Sequence, residues 1–119
     1  MLSFEGKQVY LAAGPTDMRK QINGLAALVE AAFKLSSTDA SVFVFCNKKH
    51  NRIKILEWDS DGFWLYFKRL EKGHYLWPKT KTGSYETIVL SPGELSVLIS
   101  ATAVNRIIKR DEITQAKAV

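Results

Sequence analysis

The run from Arg52 to Arg69, RIKILEWDSDGFWLYFKR, constrains the fold more than any other segment. Apolar and polar residues alternate on both sides of Ser60-Asp61-Gly62, and strand side chains point alternately to opposite faces, so the run reads as one β-hairpin. An x-Asp-Gly turn uses glycine for a left-handed last position and predicts a three-residue loop with a bulge. In that register Trp58 faces Trp64, Leu56 faces Tyr66 and Lys54 faces Lys68, while the other side pairs Ile55 with Phe67 and Glu57 with Leu65. The second set reads as core. The first sets two lysines directly across from one another, an arrangement that becomes favourable when an anion such as a phosphate backbone lies between them.

The other elements follow from periodicity and punctuation. Gln8 to Ala13 reads as a first strand ending at Gly14-Pro15. Thr16 or Asp17 is placed to cap a helix in which Met18, Ile22, Leu25, Val29 and Phe33 recur at three- and four-residue steps through about Leu35. Gly24 inside it points to close packing against a neighbour. Ser41 to Cys46 is an unbroken apolar run of the kind found in central strands. After the hairpin, Glu71-Lys72-Gly73 predicts a turn and His74 to Trp77 a short extended piece stopped by Pro78. Lys79 to Ser84 reads as a polar loop and Tyr85 to Leu90 as a further strand. Ser91-Pro92-Gly93-Glu94 matches a capping box with proline at the first helical position, opening a helix with Leu95, Leu98 and Ile99. The stretch 105–119 either extends that helix or forms a tail.

These pieces predict a single α+β domain over residues 1–119: an antiparallel or mixed sheet of about five strands, the Asp17 to Leu35 helix packed on one face, and a second helix from Pro92. The chain carries 17 Lys+Arg against 12 Asp+Glu, a formal charge of +5, which favours polyanionic partners. Cys46 is the one cysteine, excluding an internal disulfide and a cysteine-rich zinc site. No segment approaches the roughly 18 consecutive apolar residues of a membrane span, and a soluble protein of the reducing cytoplasm is expected.

Motifs for catalysis are thin. Asp59 and Asp61 are the only closely spaced aspartates, and their place in a hairpin turn accounts for them without a metal. Cys46, His50 and His74 lie near one another in sequence without an acid to orient either histidine. No phosphate-binding glycine loop, dinucleotide fingerprint or His/Cys metal spacing occurs. The reading is therefore a non-enzymatic protein without cofactor or metal.

The basic and aromatic constellation is the stronger signal. Lys48, Lys49, His50, Arg52 and Lys54 lead into and along one strand, and Lys68, Arg69 and Lys72 follow its partner. Trp58, Trp64 and Tyr66 stand among them, where aromatics stack on bases while cations pair with phosphates. The structural account is that the rings are covered by other elements and only the Lys and Arg tips stay wet. Arg19 and Lys20 make a second basic point, explained either by an anion or by a salt bridge to a neighbouring carboxylate.

The strings Leu11-Ala12-Ala13-Gly14 with Thr16-Asp17-Met18-Arg19-Lys20 and Gly24-Leu25, then Phe43-Val44-Phe45, then Arg52 to Leu56 with Trp58-Asp59 and Asp61-Gly62, then Lys68 to Glu71 with Gly73 and Trp77-Pro78, and finally Leu90 to Leu95, resemble the TnpB accessory proteins of bacterial transposable elements of the insertion sequence 66 family. Gln21 stands where that family usually has glycine, and Lys48-Lys49-His50-Asn51 where arginines are common. The resemblance implies a small companion of a separately encoded, larger transposase, needed for mobility of the element but not itself cutting DNA, and it carries over no catalytic residues.

Two functions follow. The first is DNA engagement during transposition, with Arg52, Lys54, Lys68 and Arg69 on phosphates, Lys48, Lys49 and Arg19 nearby, and Tyr66 stacking. The second is a protein–protein adaptor that docks on the transposase through Trp64, Tyr66 and Trp77. A nuclease using Asp59 and Asp61 is the third and least supported class.

Overall fold

The computed structural model describes residues 3–78 and 86–100 together with the strand backbone of 102–103. In chain order its elements are β1 (Gln8–Ala12), α1 (Ile22–Ala32), β2 (Ser41–Cys46), β3 (Arg52–Asp59), β4 (Gly62–Arg69), β5 (His74–Tyr75), β6 (Thr87–Leu90), α2 (Pro92–Ser100) and β7 (Thr102–Ala103). Five strands form a mixed sheet in the order β4-β3-β2-β1-β6. β1 and β2 run parallel and the other neighbours antiparallel. β5 and β7 form a separate two-stranded ladder. This is the α+β class expected from the sequence.

β2 explains the layering. Its alternation sends Val42, Val44 and Cys46 to one face and Phe43 and Phe45 to the other, and both faces are covered, so all six positions are buried. On the phenylalanine side, Leu25 and Val29 of α1 pack on Phe43, Phe45 and Leu56. On the valine side, Phe4, Tyr75, Trp77 and Leu95 of α2 close over Val9, Leu11, Ile53 and Ile55. The Trp77 indole N–H donates to the Ala12 carbonyl at 3.1 Å, pinning the segment after β5 to the sheet.

The first helix is shorter than its sequence stripe. It spans Ile22–Ala32 and not Asp17 to Leu35. Asp17 does not cap it: its carboxylate accepts the Arg19 amide at 2.9 Å, the Lys20 amide returns to the Asp17 carbonyl, and residues 17–20 form a turn. The helix is entered through Gln21, which makes no side-chain cap. At the other end Lys34 takes a left-handed conformation (φ 58°) and the Leu35 amide returns to Val29, closing the helix. The apolar stripe still holds, because Met18, Ile22, Phe33 and Leu35 pack against the same cluster from outside the helix or at its ends. The close neighbour of Gly24 is the Lys20 stem, whose Cβ would lie 3.3 Å from an added Cβ.

The hairpin register differs by one residue from the sequence expectation. Its loop has two residues, Ser60 and Asp61, with Asp59 opposite Gly62. The positive φ falls on Ser60 (45°) and not on Gly62, which enters the strand. Trp58 therefore opposes Phe63, Glu57 opposes Trp64, Leu56 opposes Leu65, Ile55 opposes Tyr66, Lys54 opposes Phe67 and Ile53 opposes Lys68. A one-residue slip exchanges the faces of a whole strand. The observed choice places Phe63 and Leu65 with Leu56 under α1, and Tyr66 with Ile55 against Phe4, so both covered faces receive apolar side chains. Burial on two faces outweighs the turn preference of Asp-Gly.

Other boundaries fall close to expectation. Gly73 closes the Glu71-Lys72-Gly73 turn with φ 74°. Ser91 and Glu94 exchange the two capping-box bonds, at 2.9 and 3.0 Å, at the start of α2. The loop from Lys79 to Ser84, Tyr85 and the stretch 105–119 lie outside the described residues.

Candidate nucleic-acid interface

Register decides which cations are available. Lys54, expected to face Lys68 on an open surface, is only 5% exposed and lies on the opposite face of the sheet from Lys68. Its ammonium donates to the carbonyls of Met18 (2.9 Å) and Lys20 (2.8 Å) and to Gln21 Oε1 (3.5 Å), and sits 5.7 Å from the centre of the Phe67 ring. Buried charge is tolerated where hydrogen bonds replace water. Lys54 thus holds the 17–21 turn onto the hairpin, and its three donors are spent there.

A like-signed cross-strand pair does exist, two residues along β3 and one along β4 from the expected one. Arg52 stands directly opposite Arg69 at the open end of the hairpin. Arg69 is answered by Glu71, whose carboxylate accepts its Nε at 2.8 Å. Arg52 lines a groove of about 560 Å³ between the 17–21 turn and β4, together with Arg19, Leu65 and Phe67. Arg19 projects into solvent but is clamped by Asp17 at 2.7 Å. That guanidinium holds the Asp17 carboxyl down at about 2, so the salt-bridge account of Arg19 is the observed one.

Lys48 and Lys49 are exposed on the β2–β3 connection. The side chain of Asn47 shapes this turn: its Oδ1 accepts the amides of Asn51 and Arg52 at 3.0 Å and its Nδ2 donates to Asn51 Oδ1 at 2.7 Å. The Asn51 carbonyl receives the Leu70 amide and the His50 carbonyl the Tyr75 amide, so the turn is fastened to the end of β4 and to β5. Asn47 is not among the residues that the sequence singles out above. Its signal was an asparagine leading a tight turn, where such a side chain bonds the backbone ahead of it.

Lys48, Lys49, Arg52, Lys68, Arg69 and Lys72 consequently gather at one end of the hairpin. The other end is acidic, with Asp59 and Asp61 at the loop. Asp59 accepts the Trp64 indole N–H at 3.0 Å, which gives it a structural task. Among the described residues no three His, Cys, Asp or Glu side chains converge as metal ligands.

The aromatics divide. Trp58 meets Phe63 edge-on at 5.0 Å, not Trp64. The Tyr66 hydroxyl donates to Glu57 Oε1 at 2.7 Å, and Glu57 also binds Lys7, so that ring is anchored over the valine side of the sheet. Burial and the Glu57 carboxylate push the Tyr66 phenol up to about 12. Trp77, expected as a docking anchor, is buried. Trp64 (56% exposed), stacked on Tyr66, and Phe67 (55%) are the large rings left open on β4. Burial also drives the Cys46 thiol up to about 12, leaving it protonated and a poor nucleophile. Among the described residues no helix is long and apolar enough to cross a membrane.

Comparison with known proteins agrees with the motifs. The chain is similar to two proteins of Sinorhizobium fredii (strain NBRC 101917 / NGR234), each called only an uncharacterized protein. It is 36% identical to y4hO over 98 residues, covering 82% of this chain and 83% of the relative. It is 35% identical to y4jC over 95 residues, covering 80% and 79%. No solved structure matches. The family model described as IS66 Orf2 like protein matches residues 7–109, nearly the whole of the sheet, both helices and the basic hairpin end, and the chain belongs to that family.

Proposed function

We propose that this protein is a non-enzymatic accessory component of transposition that engages DNA through the basic end of the β3–β4 hairpin. Membership in the IS66 Orf2-like family supports the link to transposition. The observation that carries the DNA reading is the gathering of Lys48, Lys49, Arg52 and Lys68 at one end of a rigid hairpin, none with an ion-pair partner among the described residues. Three exposed lysines and the half-buried Arg52, on a turn held by Asn47 and on both faces of two paired strands, ring the end of the hairpin with positive charge for phosphates. Such contacts position a protein on DNA and carry little sequence information, so recognition of element ends falls to DNA shape or to the transposase. Lys54 has no part in this array, and Arg69, paired with Glu71, is not counted among its unpaired cations.

Affinity for duplex DNA should fall steeply with salt, with a logarithmic slope of about 0.9 per neutralised phosphate. Changing Lys48, Lys49, Arg52 and Lys68 together to glutamine should flatten the slope by up to about 3.6 on that scale. An unchanged slope rejects this end of the molecule as the contact surface. The adaptor reading draws support from the exposed Trp64 and Phe67. It expects capture of the element's transposase that survives moderate salt and that free DNA does not displace.

A further inference from the structure

β4 is the last strand on its side of the sheet, and among the described residues no strand pairs with its outer edge. The bond from the Leu70 amide to the Asn51 carbonyl (2.8 Å) sets the phase of the ladder. Counting back by twos, the backbone groups of Lys68, Tyr66, Trp64 and Gly62 face β3, and those of Phe63, Leu65, Phe67 and Arg69 face outward. β4 contains no proline, and its register with β3 runs without a bulge from Gly62 to Arg69. Natural edges are usually blunted by such devices or by charge. Here the charge is confined to the ends, basic at Lys68 and Arg69 and acidic at the Ser60–Asp61 loop.

We propose that a second copy of this chain pairs antiparallel with β4 about a two-fold axis at Leu65, joining two sheets into one. Outward-facing residues must oppose one another for the ladder to close, which restricts the axis to a few positions. An axis at Leu65 sets Phe63 opposite Phe67 of the second copy on the α1 side, and Trp64 opposite Tyr66 on the other. The two large exposed rings of β4 each gain an aromatic cross-strand partner. It also sets Asp61 opposite Arg69 of the second copy. An axis at Tyr66 would bring Asp61 against Glu71. An axis at Trp64 would set Arg69 against Asp59, which the Trp64 indole already engages, and would leave Phe67 facing Asp61 in place of a ring, so charge and aromatic pairing together single out Leu65. The existing Arg69–Glu71 pair is exposed, and such pairs exchange at little cost.

The full chain, without DNA, tests this by sedimentation equilibrium over a range of concentration. A dimer is expected, with Arg69→Asp and Asp61→Arg each weakening it by about tenfold or more and the double exchange restoring it, as for charge pairs across an interface. Phe67→Pro should abolish the dimer while leaving the circular dichroism of the monomer unchanged, because the lost amide points away from β3. A protein that stays monomeric at concentrations on the order of 100 μM overturns the proposal. So does a dimer indifferent to both charge reversals. If Phe67→Pro fails to fold, the rescue by double exchange decides alone. None of these outcomes depends on whether DNA binds.

Discussion

β3 and β4 have the same length, both mix cations with aliphatic and aromatic side chains, and they lie side by side, yet they are different kinds of strand. β3 has neighbours on both edges and layers on both faces, and Ile53 to Glu57 are all buried. Among the described residues β4 has a neighbour on one edge only, and Trp64, Phe67, Lys68 and Arg69 are exposed. The contrast between Lys54 and Lys68 follows from this. One ammonium is enclosed and bonded to backbone carbonyls, while the other is exposed and, among the described residues, has no ion-pair partner. Place in the strand order, more than residue type, decides whether a lysine holds the fold together or remains available to a ligand.

The most forceful way to break that comparison is to truncate one leucine on each strand. Leu56 and Leu65 oppose one another under α1, but Leu56 is fully enclosed and Leu65 only partly. Leu56→Ala should cost about 3 kcal/mol or more, within the span for enclosed leucines. Leu65→Ala should cost about half as much or less, since fewer atoms lose contacts. Urea unfolding of both variants measures the difference, and equal costs would mean that the β4 edge is covered in solution.

A second contrast separates the lysines. Lys54→Met keeps the stem but leaves the Met18 and Lys20 carbonyls without their donor, and should cost about 2 kcal/mol. Lys68→Met should stay within about 0.5 kcal/mol, as surface changes usually do, and act instead on DNA affinity. A Lys54→Met protein with unchanged stability would sever Lys54 from its role in holding the 17–21 turn.

Much of the sheet was legible in the sequence because both covered faces of β2 leave an unbroken apolar run, and because Gly73 and the Ser91–Glu94 box mark turns by local chemistry alone. The hairpin itself was also legible. Its register was not, because Asp-Gly speaks only for the loop, whereas the choice was made by Phe63, Leu65 and Tyr66 seeking cover on two faces far from it. The helix start was misplaced for a related reason. Asp17 has the composition of a cap, but the carbonyls of Met18 and Lys20 are drawn to Lys54, more than thirty residues away, and no local pattern announces that. The basic end of the hairpin survived the change of register because it depends on which residues lie near the open end and not on which face they take.

The smallest effect belongs to the other cation of the 17–21 turn. Arg19 is as exposed as Lys54 is enclosed, yet both fasten the same turn, Arg19 through the Asp17 side chain and Lys54 through backbone carbonyls. The Asp17 carboxyl titrates at about 2, drawn down first by its bond to the Arg19 guanidinium and then by the Arg19 amide, from an ordinary value of 3.8. A carboxyl depressed in the folded state adds stability that is complete above its unfolded value and disappears as pH falls through its folded value, so this pair contributes above about pH 4 and is lost by about pH 2. Water and salt screen a pair this exposed. Arg19→Ala should therefore leave neutral-pH stability almost unchanged while raising the Asp17 titration midpoint toward 3.8, as followed by carboxyl carbon NMR shifts. The shift should remain incomplete, because the amide at residue 19 still donates to the carboxylate. A midpoint that does not move would place the whole depression on that backbone bond, and Arg19 would then be as free as Lys68 to meet an outside anion.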